Sequence, residues 1–307
     1  MPKYLTTKRI SLAAGIALLA LAASALPALA TPGDLYVSGS NSTIERFTPG
    51  GTASVFASTG LALPTALAFD IGGNLYVSNY NTNTIVRFTP GGTASVFAST
   101  GLSNPLGLAF DASGNLYVAS RVNNIIERFT PGGTASVFAS TGLSDPNGLA
   151  FDASGNLYAS NDGNDTIERF TPGGVASVFA STGLRRPRGL AFDASGNLYA
   201  ANVGNDTIER FTPGGVASVF ASTGLNGPIG LAFDASGNLY AANGDNTIER
   251  FTPGGVASVF ATGVIAPFGL AFEPASAPLS AVPEPASAAL LALGLGGLSA
   301  FRRRRTA

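Results

Sequence analysis

One pentapeptide, Phe-Thr-Pro-Gly-Gly, recurs six times along the chain. It begins at Phe47, Phe88, Phe129, Phe170, Phe211 and Phe251, in steps of 41, 41, 41, 41 and 40 residues. Self-similarity at a fixed period of this size restricts a chain to solenoids, propellers or arrays, because each copy buries its apolar face only against a neighbouring copy. Two further markers keep the period. Leu-Ala-Phe-Asp ends at Asp70, Asp111, Asp152, Asp193 and Asp234, and Leu-Ala-Phe-Glu closes the series at Glu273. Asn-Leu-Tyr begins at Asn74, Asn115, Asn156, Asn197 and Asn238, with Asp-Leu-Tyr at Asp34.

The unit from Gly148 to Pro187 holds four short β-like runs, "GLAF", "LYAS", "TIERF" and "ASVFAS". Between them stand "DASGN", "NDGND" and "TPGG". Proline and glycine sit at the joints, where a missing N–H and a positive φ cost nothing. Four strands at this period predict a propeller blade. The chain ends decide between a ring and an open array. The first unit begins late, at "GDLYVS" (Gly33 to Ser38), and lacks its first strand; the far end supplies one in "GLAFE" (Gly269 to Glu273). Complementary incomplete ends are what a closing ring requires. The fold predicted is all-β: a six-bladed propeller of four-stranded blades over residues 31–274, its first blade completed by the C-terminal strand, with terminal apolar helices outside the domain.

Composition narrows the chemistry. The 307 residues contain no Cys, no His and no Trp. Disulfides and thiolate chemistry are excluded, and with histidine goes the commonest general base and metal ligand. Residues 31–285 carry ten arginines, no lysine and all 18 acids, a net charge of −8. A nucleic-acid binder needs the opposite surface, so no nucleic-acid partner is expected.

Both ends are addresses. Residues 1–30 read as a signal peptide: Lys3, Lys8 and Arg9 precede the apolar run Ile10 to Leu26, and Ala28 and Ala30 satisfy the small-x-small cleavage rule. After a linker at 275–281, residues 282–305 place Pro283, Glu284 and Pro285 before the 16-residue apolar run Ala286 to Phe301 and the arginines Arg302 to Arg305. As a helix that run reaches roughly 24 Å, marginal for a hydrocarbon core of about 30 Å. The arginines hold its end on the cytoplasmic side. Tripeptide, apolar stretch and basic tail in this order resemble a PEP-CTERM sorting signal. The resemblance implies an exosortase-type processing enzyme as partner, transient inner-membrane anchoring through this helix, and a destination at the outer surface or in the extracellular matrix of a Gram-negative bacterium.

The stretch "GLAFDASGNLYVAS" (Gly107 to Ser120) resembles NHL repeats and the related six-bladed gluconolactonase-like and streptogramin-lyase-like propellers. Strands alternate across a blade, so "DASGN" and "TPGG" share one face, nearly identical in every copy. The loops between the second and third strands, and between blades, share the other face and differ. There the residue before each "GLAF", or its "ALAF" counterpart, should point into the channel mouth: Thr65, Leu106, Asn147, Arg188, Ile229 and Phe268. Gluconolactonase-like enzymes hold a divalent metal at such positions with Glu, Asp and Asn, and streptogramin-lyase-like enzymes look to a His base. Neither set is visible, so no cofactor, no metal and no catalysis are expected. The alternative is a gluconolactonase-like hydrolase or lactonase with a metal in the channel. The expected role is a binding or structural module of the cell envelope or exopolysaccharide matrix, with polysaccharide or other surface proteins as partners. Arg185, Arg186 and Arg188, three of ten arginines within four residues, are the candidate ligand-binding residues together with Asn147. The recurring Arg46, Arg87, Arg128, Arg169, Arg210 and Arg250 are expected to bond between blades. The recurring Asp of "DASGN" is expected to bond its own turn.

Overall fold

The computed structural model describes residues 33–274. Twenty-four strands form six antiparallel sheets of four, and no helix occurs among the described residues. The signal peptide, the linker and the sorting segment expected from the sequence lie outside them. In the unit read above, the strands from the axis outward are Pro146–Phe151, Leu157–Asn161, Thr166–Phe170 and Ala176–Ala180. Each inner strand touches the inner strands of both neighbouring blades, and this chain of contacts returns to its start.

Closure is by the two ends. Pro267–Phe272 pairs with Leu35–Gly39, placing Leu35 opposite Phe272, Tyr36 opposite Ala271 and Val37 opposite Leu270. Beyond the strand, the Glu273 N–H donates to the Asp34 carbonyl at 3.0 Å. The second strand of a blade is covered on both sides, so all five residues of Leu157–Asn161 are buried. Its tyrosine joins one blade to the next. The Tyr158 ring meets Phe179 of its own outer strand and Phe192 of the following inner strand edge-on, with centroids 4.9 and 5.1 Å apart. Tyr240 repeats this across the closure, against Phe260 and Phe272. Such edge-to-face pairs contribute about 0.5–1.5 kcal/mol each beyond the area they bury.

The two faces are held by different devices. On the uniform face, Asp152 Oδ1 accepts the N–H groups of Ser154 and Asn156 at 2.9 and 2.8 Å, and Asn156 Nδ2 donates to Oδ2 at 2.8 Å. This is the self-bonded turn expected of the Asp series. In the Arg series, Arg169 lies opposite Tyr158 of its own blade, because antiparallel register puts the two side chains side by side.

On the variable face, Asn83, Asn124, Asp165, Asp206 and Asn246 adopt φ between 51° and 69°. Their Oδ1 atoms accept the N–H groups of Asn104, Asp145, Arg186, Gly227 and Ala266, one blade further on, at 2.6–2.7 Å. Asn and Asp tolerate the left-handed region and carry a short acceptor, so each loop staples itself to the next blade. These five groups of the Asn- and Asp-rich loops are therefore committed to the ring.

Candidate functional site

The channel mouth is shaped by a bulge at the start of the inner strands. In the fourth blade the register shifts between Pro146 and Leu149, where Asn147 and Gly148 fall. A Cβ on Gly148 would collide with the Arg188 carbonyl of the next blade. Glycine is what lets inner strands approach so closely round the axis. The residue before it is turned to the mouth. Thr65, Leu106, Asn147, Arg188, Ile229 and Phe268 all line one cavity of about 250 Å³. Two residues deeper along each strand, Leu67, Leu108, Leu149, Leu190, Leu231 and Leu270 form a collar, each only 6–7 % exposed. Side chains two apart on a strand share a face, so the ring and the collar follow from one periodicity.

A second ring was missed by sequence reasoning. The fifth residue after the leucine that opens each second strand, read in chain order, is Ser40, Tyr80, Arg121, Asp162, Val203 and Gly244. No two copies agree there, which was the available signal. Tyr80 and Arg121 line the cavity. Asp162 lies buried beside it, its side chain 4 % exposed, and bridges two arginines: it accepts from Arg186 Nε at 3.0 Å and from Arg188 Nε at 3.3 Å. Arg121 Nη2 stands 3.5 Å from Asp145 Oδ2, a half-exposed pair. Burial weakens the hold of Arg188 on its proton, Arg186 and Arg121 repel it further, and Asp162 opposes both effects.

Of the four candidate ligand-binding residues, Asn147 and Arg188 line the cavity. Arg186 flanks it, exposed and tied to Asp162. Arg185 is exposed outside the lining, its N–H donating to Asn202 Oδ1 at 3.1 Å. Adjacent residues of the loop point apart, so three arginines close in sequence do not converge on one point. Among the described residues no three carboxylates gather in a way that could hold a metal ion.

The fold is that of a closed six-bladed propeller with a small, leucine-floored cavity at its mouth. The chain belongs to the virginiamycin B lyase family, whose model matches residues 24–282. The PEP-CTERM protein-sorting motif matches residues 281–305, which marks the protein for export and surface sorting. A chain of the nidogen/laminin complex is similar in fold at 24 % identity and TM-score 0.73, covering 80 % of this chain and 99 % of that one. A catalytically inactive His-to-Ala variant of virginiamycin B lyase from Staphylococcus aureus, with quinupristin, is 19 % identical (TM-score 0.62; 79 % and 92 % covered). A gluconolactonase from Xanthomonas campestris is 18 % identical (TM-score 0.63; 78 % and 89 % covered). No curated protein matches. Family membership overturns the expectation of a chain without catalysis, since the family is that of a lyase. The residue inventory had excluded imidazole and a carboxylate metal cage. It had not weighed Tyr80 and Arg121, polar groups that the fold brings to the same mouth as Arg188.

Proposed function

We propose that the protein is displayed at the outer surface of a Gram-negative cell, or in its exopolysaccharide matrix, and takes an envelope or matrix molecule at the mouth of its channel. An exosortase-type enzyme processes the sorting segment. One observation carries the site. On one face the Thr-Pro-Gly-Gly turn is identical in all six copies and Asp-Ala-Ser-Gly-Asn recurs in four, with Asp-Ile-Gly-Gly-Asn in a fifth, whereas both sets of positions at the mouth differ from copy to copy. Turns under a shared structural demand keep one sequence, whereas positions facing a single asymmetric ligand have no reason to match.

The family adds a second outcome, chemical change of the captured molecule. With no His in the chain, such a step would draw on the hydroxyl, amide and guanidinium groups of the mouth. The test passes soluble matrix from the producing cells over the immobilised protein and over Ile229→Trp, which fills the cavity. Mass spectrometry of retained and transformed molecules should find a species held or changed by the parent alone. Equal behaviour of the two proteins would remove the mouth as the site.

A further inference from the structure

We infer that the mouth takes a small organic acid with an apolar body, its carboxylate held between Arg188 and Arg121 and its body lowered onto the leucine collar. This deepens the reading of the mouth as the ligand site and rests on it.

The charge at the cavity is of one sign. Arg121 and Arg188 are the charged side chains that line it, and no carboxylate does. Their counter-ions are turned aside. Asp162 engages both Arg186 and Arg188 through Nε, the nitrogen nearest the chain, which leaves the terminal NH₂ edge of each guanidinium for another acceptor. Asp145 meets Arg121 across 3.5 Å with nearly half its side chain in solvent, a weak exposed pair. Asp165 is occupied by the Arg186 N–H at 2.6 Å. Arg186 and Arg121 both lie near enough to Arg188 to repel its charge. An anion placed among them relieves that repulsion and forms charge-assisted bonds.

The buried carboxylate is the device that makes this sector rigid. Asp162 is a positioning residue: it holds Arg188 against the wall of the mouth. Arg186, in the left-handed region at φ 50°, is held by Asp165 at its backbone and Asp162 at its side chain.

Leu106, Ile229 and Phe268 make half of the rim apolar above the leucine collar, with Thr65 three blades from Arg188. At about 250 Å³ the cavity is smaller than the usual 300–1,000 Å³ of drug-sized sites, so it fits a compact molecule or one end of a longer one. A neutral sugar would gain no charge-assisted bond from the guanidiniums. An inorganic anion would leave the collar empty.

The test uses the processed protein recovered from the cells that export it, and calorimetric titration with three probes: 4-phenylbutyrate, 4-phenylbutan-1-ol and inorganic phosphate. The acid should bind at least tenfold more tightly than the alcohol or phosphate. Arg188→Gln should cost the acid tenfold or more and leave the alcohol unchanged. Raising salt from about 0.05 to about 0.5 M should weaken the acid alone. Because Arg188→Gln changes the partner of a buried carboxylate, its melting is recorded, and Arg121→Gln, whose partner is half exposed, provides a second reading in the same direction. Acid and alcohol of equal affinity, no binding of the acid, or indifference to both arginine substitutions would each overturn the inference. Ile229→Trp separates the two levels of the argument. If both organic probes bind the parent equally and both are lost in this variant, the mouth stands as a site and the anion specificity falls. If the acid still binds the filled variant, the mouth itself is the wrong place.

Discussion

Glutamate and arginine are sequence neighbours in the third strand of five blades, and they point to opposite faces. Alternation along a strand requires it. Arg169 goes to the exposed side and its tyrosine; Glu168 goes inward, 6 % exposed, with Oε2 buried and without a hydrogen-bond partner. Burial raises the pKa of Glu127, Glu168, Glu209 and Glu249, with Asp245 adding to the effect at Glu249. A carboxyl whose folded pKa is raised stabilises the fold below its unfolded pKa, and that contribution is lost as pH rises through the folded value. The second blade already carries the apolar solution, Val86, at the same position. Glu168→Val should therefore raise the melting temperature at pH 7.5 and change it little at pH 4. Taking a partnerless carboxylate oxygen out of burial is worth about 1–3 kcal/mol while it is charged and less once it is protonated, and 1 kcal/mol corresponds to roughly 2–4 °C in a domain of this size. Thermal scans at the two pH values decide it; an equal shift at both would show that ionisation is not the cause. Asp193 shifts the other way: burial raises it, but the hydrogen bonds from Asn197, Ser195 and Tyr199 prevail. For that reason the test compares one substitution rather than whole-protein pH curves. None of this was legible in the sequence, where Glu-Arg reads as a pair and the burial of one partner depends on the neighbouring blade.

Strands and tight turns were legible as elements because proline, glycine and the Asp-Ala-Ser-Gly-Asn turns punctuate the chain at the joints. The loops between second and third strands were not. Their Asn and Asp residues read as free polar surface, yet Asn124 and its counterparts each hold the next blade. That use depends on a left-handed backbone and on a partner about 21 residues away, and no local pattern displays either. Asn124→Ala should lose the bond to the Asp145 N–H and also force an alanine into positive φ. Together these cost about 2 kcal/mol. Asn124→Gly loses the bond but keeps the backbone, so it should cost about half as much. Chemical denaturation of both variants measures the difference. Equal losses would mean the staple alone, not the left-handed backbone, carries the stability, and no loss in the glycine variant would mean the reverse.

At the scale of the whole molecule, the six-fold ring was legible because each marker occurs six times and the ends complement one another. The rim of the mouth was half legible. The ring before the "GLAF" glycine follows from strand direction, while Tyr80, Arg121 and Asp162 enter through loops whose course the sequence leaves open. The sorting segment belongs to this scale too. Changing Pro283-Glu284-Pro285 to three alanines should leave export intact and block tail removal, so that a larger, membrane-retained form accumulates in the native host. Immunoblots of membrane and surface fractions read this directly, and a variant reaching the surface at its processed mass would make the tripeptide incidental. The central claim is that the mouth, where the copies diverge, is the functional site. Hydrogen exchange of the protein with the molecule it retains from the matrix tests that claim most directly. The account predicts slowed exchange at Asn147–Gly148, Arg188–Gly189 and the loop carrying Tyr80, with no change in the Asp111–Asn115 and Asp152–Asn156 turns. Protection confined to those turns, on the opposite face, would contradict it.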